Sequence, residues 1–286
     1  MNTQFWLIQA FNGISYGALL FLVGSGLSLI FGVMRIVNLA HGSYFLLGGY
    51  VALSVIWTTG SWVLAIPVAA LAIGVIGLLM ERIFLRPLGF DPLRQVLLTV
   101  GFAFLFQQAA LDIWTGNNFD INPPDALTKS IVVGGVYLPL YRVFMICTAL
   151  VIGVILWLVM EKTRMGAAVR ATVDDAQMAR GVGIDTSRIS MLIFSLGAFL
   201  AALGGVIGGA FLGIYPGLDF EMLPIAFAVV IIGGMGSLGG AAIGALLVGL
   251  ADNFGKALFP EMSYFTLYAP MALILAVKPT GLFGRE

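Results

Sequence analysis

An all-α membrane protein that crosses the bilayer many times is the fold class this sequence predicts, and three observations predict it. Sixty per cent of the 286 residues are apolar and only ten per cent are charged, where soluble domains run near a quarter charged. Mean hydropathy is +1.05. The apolar residues gather in runs near the ~20 residues that cross a bilayer as a helix. A soluble chain of this length would make one large or two small domains. The composition excludes that, and the whole chain, 1–286, reads as a single transmembrane domain.

The runs are 5–33, interrupted by Asn12, Gly13, Ser15, Ser25 and Ser28; 39–57; 62–84; 96–114; 141–160; 191–212; a short 222–232; 241–259; and 264–277. They give about eight full spans, with 222–232 as a half-helix or a short ninth. The first run follows no basic residue and is too long for a cleaved signal, so it reads as a retained span. Cys147 is the single cysteine. An internal disulfide and a cysteine-built metal site are therefore excluded. A net charge of zero gives no reason to expect nucleic acid as a partner.

Between the fifth and sixth runs lies the one long polar segment, 161–190, with five of the fourteen basic residues: Lys162, Arg164, Arg170, Arg180 and Arg188. The stretch 166–180 reads as one surface helix, supported by Ala167, Ala168, Ala171, Ala176 and Ala179. It should stop at Gly181 or Gly183, because glycine enters the left-handed conformation at no steric cost. Such an elbow is either a solvated loop that sets topology or a docking helix for a cytoplasmic partner. Its small alanines and paired glycines suit the second, since they let another surface approach the backbone.

Cytoplasmic loops retain lysine and arginine. With 161–190 inside, alternation places Arg35, Arg82, Arg86, Arg94, Lys278 and Arg285 on the same side and leaves Lys129, Arg142 and Lys256 outside. That pattern requires an external amino terminus, a cytoplasmic carboxyl terminus and an odd number of crossings, so 222–232 should cross. The outer segment 115–140 contains Pro123, Pro124 and Pro139, which forbid a continuous helix, and IVVGGVYL within it suits a short hairpin. Asp120 and Asp125, with Asp112, Asp219, Glu221, Asp252 and Glu261, are expected to make the outer face acidic. That rim is either the counterpart of the positive inner side or a docking surface.

Thirty-seven glycines point to close helix packing, with Gly13 and Gly17, Gly204 and Gly208, Gly205 and Gly209, and Gly209 and Gly213 each four apart. Two clusters mix glycine with polar residues, RIVNLAHGSYFLLGGY (35–50) and IIGGMGSLGGAAIG (231–244). Irregular backbone at membrane depth is tolerated only where protein or a water-filled cavity satisfies it, and broken helices point to transport sites. One cluster stands in each half, the pattern of an internal repeat. His41, the only histidine, lies beside Asn38 and Ser43. With no second histidine or nearby carboxylate it makes no metal site, and it reads as a structural hydrogen bonder.

IVNLAHG at 36–42, ERIFLRPL followed by LLTVGFAFLFQ, RMGAAVRATVDDAQMARGVGID, IIGGMGSLGG and the ending KPTGLFG occur in order over nearly the whole chain. Together they resemble the permease subunits of branched-chain amino acid ABC importers, specifically the shorter of the two permeases. Members of that family often carry proline where this chain has Gly239. The resemblance implies a heterodimer with a second permease, two cytoplasmic ATPase subunits, an external solute-binding protein and a place in the bacterial inner membrane, with contacts to lipid. It makes 164–184 the segment that couples to an ATPase, through Arg164, Gly166, Arg170, Asp175, Ala179, Gly181, Gly183 and Ile184. It places the translocation path beside the two breaks, at Asn38, His41, Gly42, Gly233, Gly234, Gly236 and Ser237, on the permease interface. The chain would bind no cofactor, ATP being used by the partner subunits. In agreement, no GxxxxGK[ST] loop occurs: Leu250 and Ala257 occupy the required positions around Gly255 and Lys256.

Two other classes compete. A stand-alone secondary transporter or channel for small neutral solutes usually keeps an ionisable group in mid-membrane, and the sequence places almost none there. An enzyme is poorly served by one histidine and no clustered carboxylates. The resemblance points to branched-chain or other small amino acids as solutes and leaves the particular one open.

Overall fold

The computed structural model describes residues 3–89, 91–133 and 135–284. Its first half comprises α1 (Thr3–Met34), α2 (His41–Thr59), α3 (Trp62–Met80) and α4 (Pro92–Trp114). α3 continues through a π turn at Glu81–Leu85 and a 3-10 turn at Arg86–Leu88. A hairpin of β1 (Ser130–Val133) and β2 (Val136–Pro139) follows, paired antiparallel with Ser130 opposite Pro139. Then come α5 (Leu140–Lys162), the two short polar helices α6 (Arg164–Asp174) and α7 (Ala176–Gly181), and the second half, α8 (Thr186–Leu212), α9 (Leu218–Gly233), α10 (Leu238–Leu258) and α11 (Ser263–Val277).

Every apolar run is a helix, and the expected hairpin is present; Gly134 and Arg285 lie outside the described residues. Among the described residues six helices are long and apolar enough to cross a membrane: α1, α3 with its continuation, α4, α5, α8 and α10. The chain is thus an all-helical, polytopic membrane protein.

Small residues decide the packing. α1 and α8 cross at the centre, where a Cβ on Gly26 would lie 2.7 Å from the Gly197 carbonyl oxygen. α10 runs antiparallel to α1: Gly13 meets Leu250, Gly17 meets Ala245, and Gly32 meets Gly236. α3 runs antiparallel to α8, with Gly74 against Phe199 and Gly77 against the Phe194 carbonyl; the Ser195 hydroxyl donates to the Gly74 carbonyl at 2.8 Å. The pairing of α1 with α10 is therefore repeated, upside down, by α8 with α3. α1–α4 and α8–α11 form an inverted repeat, a construction that recurs in transporters.

The repeat relates different breaks from those the sequence pairs. The non-helical segment 35–40 between α1 and α2 corresponds to 213–217 between α8 and α9. The glycine break 234–237 before α10 corresponds instead to Gly60 and Ser61 before α3, and both serines cap their helices, Ser61 through Leu64 N–H and Ser237 through Gly240 N–H. The expected pairing of the two glycine clusters is corrected accordingly. Gly213 also leaves its expected face, since α8 ends at Leu212 and Gly213 has φ 76°.

The segment 35–40 turns back into the bundle. His41 Nε2 donates to the Val23 carbonyl at 3.0 Å, which lies about 16 Å back along α1 from Met34 at 1.5 Å per residue. α2 thus starts near mid-depth. There its Gly42 packs against the Asp219 carbonyl in the first turn of α9. α9 is antiparallel to α10, Gly244 meeting Val229 and Gly240 meeting Gly233. It therefore runs with α1, whereas α2 runs against it. The two helices share a starting point and diverge toward opposite ends of the bundle.

Candidate functional site

Three places gather the sequence-predicted residues: the polar elbow, the break before α10 and the junction of α2 with α9.

The elbow is two helices, not the single one expected over 166–180. The adjacent Asp174 and Asp175 break it. Asp175 is extended (φ −153°, ψ 102°), and its side chain accepts from the Gln177 and Met178 N–H groups at 2.8 and 2.9 Å, starting a new helix. Asp competes for backbone donors in this way, which favours caps over helix interiors. α7 ends where Gly183 N–H bonds Arg180 O and Ile184 N–H bonds Ala179 O, both at 3.0 Å, with Gly183 at φ 87°. This is the Schellman closure, and it selects Gly183 rather than Gly181 as the left-handed residue.

α6 folds tightly back on α5. Gly166 is buried, and a Cβ there would collide with the Val159 and Met160 carbonyl oxygens. The Arg170 guanidinium donates to the Met160 carbonyl and stands 3.7 Å from Glu161. Gly166 and Arg170 thus build the elbow, and Ala179 is only 3% exposed, turned toward the bundle. Ile184 is half-buried against the cluster of Leu29, Met160, Val169, Ile189 and Ile193. The outward surface consists of Arg164, Gly181 and Gly183 together with Met178 (69% exposed) and Val182 (77% exposed). A Cβ on Gly181 or Gly183 would meet nothing within 4 Å. Met178 and Val182 were missed in the sequence. Their i, i+4 spacing is shared by Met165, Val169 and Val173, so nothing in the sequence singles them out.

The break before α10 is stitched to the carboxyl-terminal tail. Gly233 and Gly234 are buried, and Gly234 and Gly236 have φ 101° and 81°. The Leu282 and Phe283 N–H groups donate to the Ile232 and Gly233 carbonyls at 2.9 and 3.0 Å, satisfying acceptors that a helix end leaves open. Ser28 on α1 donates to the Ser237 carbonyl at 3.3 Å. Gly236 and Ser237 line a cavity of about 770 Å³ that reaches the elbow through Arg170 and Asp174.

At the junction, Asn38 and His41 are fully buried. The Asn38 side-chain oxygen accepts from Ala40 N–H at 3.1 Å, and the Thr99 hydroxyl of α4 accepts from Leu39 N–H at 3.2 Å. Ser43 Oγ donates to Asp219 Oδ2 at 3.1 Å. The Asn38 amide nitrogen, His41 Nδ1 and Asp219 Oδ1 are buried without a hydrogen-bond partner. The two breaks are not brought together: Gly42 packs at the start of α9, and Gly233 ends it, about 21 Å apart at 1.5 Å per residue.

Asp219 corrects the expected acidic rim. It is 2% exposed, at mid-depth, and Asp252 is likewise buried and paired with Lys256 at 2.8 Å. Tyr-Pro-Gly at 215–217 gives the sequence no sign that the residue lies inside. Only the return of 213–217 into the bundle puts it inside.

The chain is similar to known proteins over nearly its whole length. The family profile described as branched-chain amino acid transport system / permease component matches residues 9–275. The high-affinity branched-chain amino acid transport system permease protein LivH of Salmonella typhimurium is 32% identical, over 100% of this chain and 98% of the relative. BraD of Pseudomonas aeruginosa, the permease protein of a system of the same description, is 30% identical over 98% and 96%. A probable branched-chain amino acid transport permease of Methanocaldococcus jannaschii is 24% identical over 96% and 91%. No solved structure matches. With its membrane-length helices the chain is a multi-pass protein of the bacterial inner membrane. By a profile covering nearly its whole length and by full-length similarity to LivH and BraD, it belongs to the permease family of branched-chain amino acid transport systems.

Proposed function

We propose that this chain is one of two permeases in an ABC importer for branched-chain or other small amino acids. It forms the translocation path with the second permease and is driven by two separate ATPase subunits that bind the ATP. Residues 1–286 act as one domain of nine crossings, with the amino terminus external, the carboxyl terminus cytoplasmic and 161–190 inside. An external solute-binding protein delivers solute at the end carrying 115–140.

The observation that carries this reading is the outward face of α7. A membrane protein that places Met178 and Val182 on a polar projection beside two uncovered glycines presents a knob for a soluble partner. Ten of the thirteen described basic residues lie at that end of the bundle, which supports its cytoplasmic placement. The path runs past the α2–α9 junction, whose unpartnered polar atoms have something to gain when the helices part.

A cysteine introduced at Gly181, with Cys147 replaced by Ala, tests the placement. It should react with a membrane-impermeant maleimide in inside-out vesicles and not in intact cells; labelling from outside overturns the topology. Reconstitution separates the drive. Uptake should require the ATPase subunits and ATP, and gradient-driven uptake by this chain alone would favour the stand-alone carrier, the one reading to which a mid-depth Asp219 lends support.

A further inference from the structure

Asp219 is a buried acid with no charge to match it. It is 2% exposed and stands at mid-depth in the first turn of α9, where Gly42 of α2 packs on its carbonyl. The Ser43 hydroxyl donates to Oδ2 at 3.1 Å, and the Phe220 N–H of the same turn faces the carboxylate. Both donors are neutral. Asp252, likewise buried, has the Lys256 ammonium at 2.8 Å. Among the described residues Asp219 has no such partner, and its Oδ1 accepts no hydrogen bond.

Buried charges are ordinarily paired. One that stands alone at membrane depth is costly and is kept for a solute, an ion or a proton. A bare metal ion needs a ring of ligands, and no cluster of three or more ligating acids, histidines or cysteines occurs among the described residues. Proton relays run through chains of acids and histidines, but His41, the one histidine, gives its ring N–H to the Val23 carbonyl. A primary ammonium fits better. It brings both the missing positive charge and the hydrogen that Oδ1 lacks, and amino acids, the solutes proposed above, carry one.

The site is also close to the surface. Phe220 and Glu221, the next two residues, are exposed. Parting α2 from α9 at Gly42 would uncover Oδ1.

We infer that the Asp219 carboxylate receives the α-ammonium of the solute in mid-membrane, Oδ1 accepting from it while Ser43 holds Oδ2. This rests on the importer reading and narrows its solutes to those with a cationic amine, since a neutral amide or a simple carboxylic acid leaves the charge unmatched. It also gives a mid-depth acid a place in a transporter that no ion gradient drives.

Equilibrium retention of radiolabelled ligand by the assembled importer in detergent, without the solute-binding protein, tests this. L-Leucine should be retained at least tenfold more tightly than 4-methylpentanoate, the same skeleton without the amine. Asp219→Asn keeps an acceptor for Ser43 and should erase that preference, and Asp219→Glu should keep most of it. With the binding protein restored, ATP-driven leucine uptake should fall at least tenfold in Asp219→Asn at unchanged melting temperature. No ATP-driven uptake by the wild type would overturn the importer reading itself. With that uptake present, equal retention of the two ligands by the wild type, or a full leucine preference in Asp219→Asn, overturns the assignment of Asp219. So does wild-type uptake that requires a proton or sodium gradient in addition to ATP, which would make the carboxylate a site for that ion.

Discussion

The Ser43 hydroxyl donates a 3.1 Å hydrogen bond to the Asp219 carboxylate across 176 residues of sequence, joining the first turn of α2 to the first turn of α9. These two helices begin together in the middle of the bundle and leave it in opposite directions, so the bond lies where the two repeats meet. Ser43→Ala should lower stability by roughly 0.5–1.5 kcal/mol, the range for a typical intramolecular hydrogen bond. Asp219→Asn keeps an acceptor for Ser43 and should lose less. Denaturant unfolding in detergent checks the order, and a Ser43→Ala chain as stable as the parent would remove the bond from the account.

Two elbow glycines should respond differently to alanine. At Gly166 a methyl group collides with two carbonyl oxygens of α5, so Gly166→Ala should cost about 1–3 kcal/mol, as overpacking does, and loosen α6. At Gly183 the space is open, and only the left-handed backbone opposes a side chain. Gly183→Ala should cost about 1–2 kcal/mol. Thermal unfolding together with protease sensitivity of the elbow separates the two, since only Gly166→Ala should detach α6.

Met178→Asp and Val182→Asp replace exposed apolar groups and should change folding stability by no more than about 0.5 kcal/mol. If they form the coupling surface, ATP-driven uptake falls at least tenfold at unchanged expression. Gly183→Asp should uncouple as well, with its backbone penalty added. Full uptake by all three variants would remove the docking surface from α7.

Large side chains at the breaks should block the path for different reasons. Gly42→Leu pushes against the Asp219 carbonyl and forces α2 from α9. Gly236→Leu meets Gly32 and a φ of 81°. Each should cost roughly 1–3 kcal/mol and abolish uptake, measured against surface expression; normal transport by both would place the path elsewhere.

Gly239 is the second residue of α10 and open to its surroundings. Proline suits the first turn of a helix, where an N–H lacks an intrahelical partner. Gly239→Pro should stabilise the chain by about 0.4–1 kcal/mol by restricting the unfolded state. A rise in melting temperature with uptake intact checks it.

The sequence by itself determined the apolar helices, the hairpin, the polar elbow and the family, because each depends on local composition. A run of apolar residues must be helical in lipid whatever it packs against, and paired prolines break a helix anywhere. The end of the elbow was legible only as Gly181 or Gly183, and the backbone closure of α7 chose Gly183. What only the tertiary structure decided is which residues meet. Asp219 looks like one acid of the outer rim until 213–217 folds back and buries it against Ser43. Ala179 looks like a contact residue until α7 turns it inward and leaves Met178 and Val182 outside. The inverted repeat is equally invisible in the text, because it preserves helix directions and close glycine contacts rather than residue identities. These outcomes follow from how long the non-helical segments are and where small residues let helices touch, and a one-dimensional pattern cannot express the angle at which two helices cross.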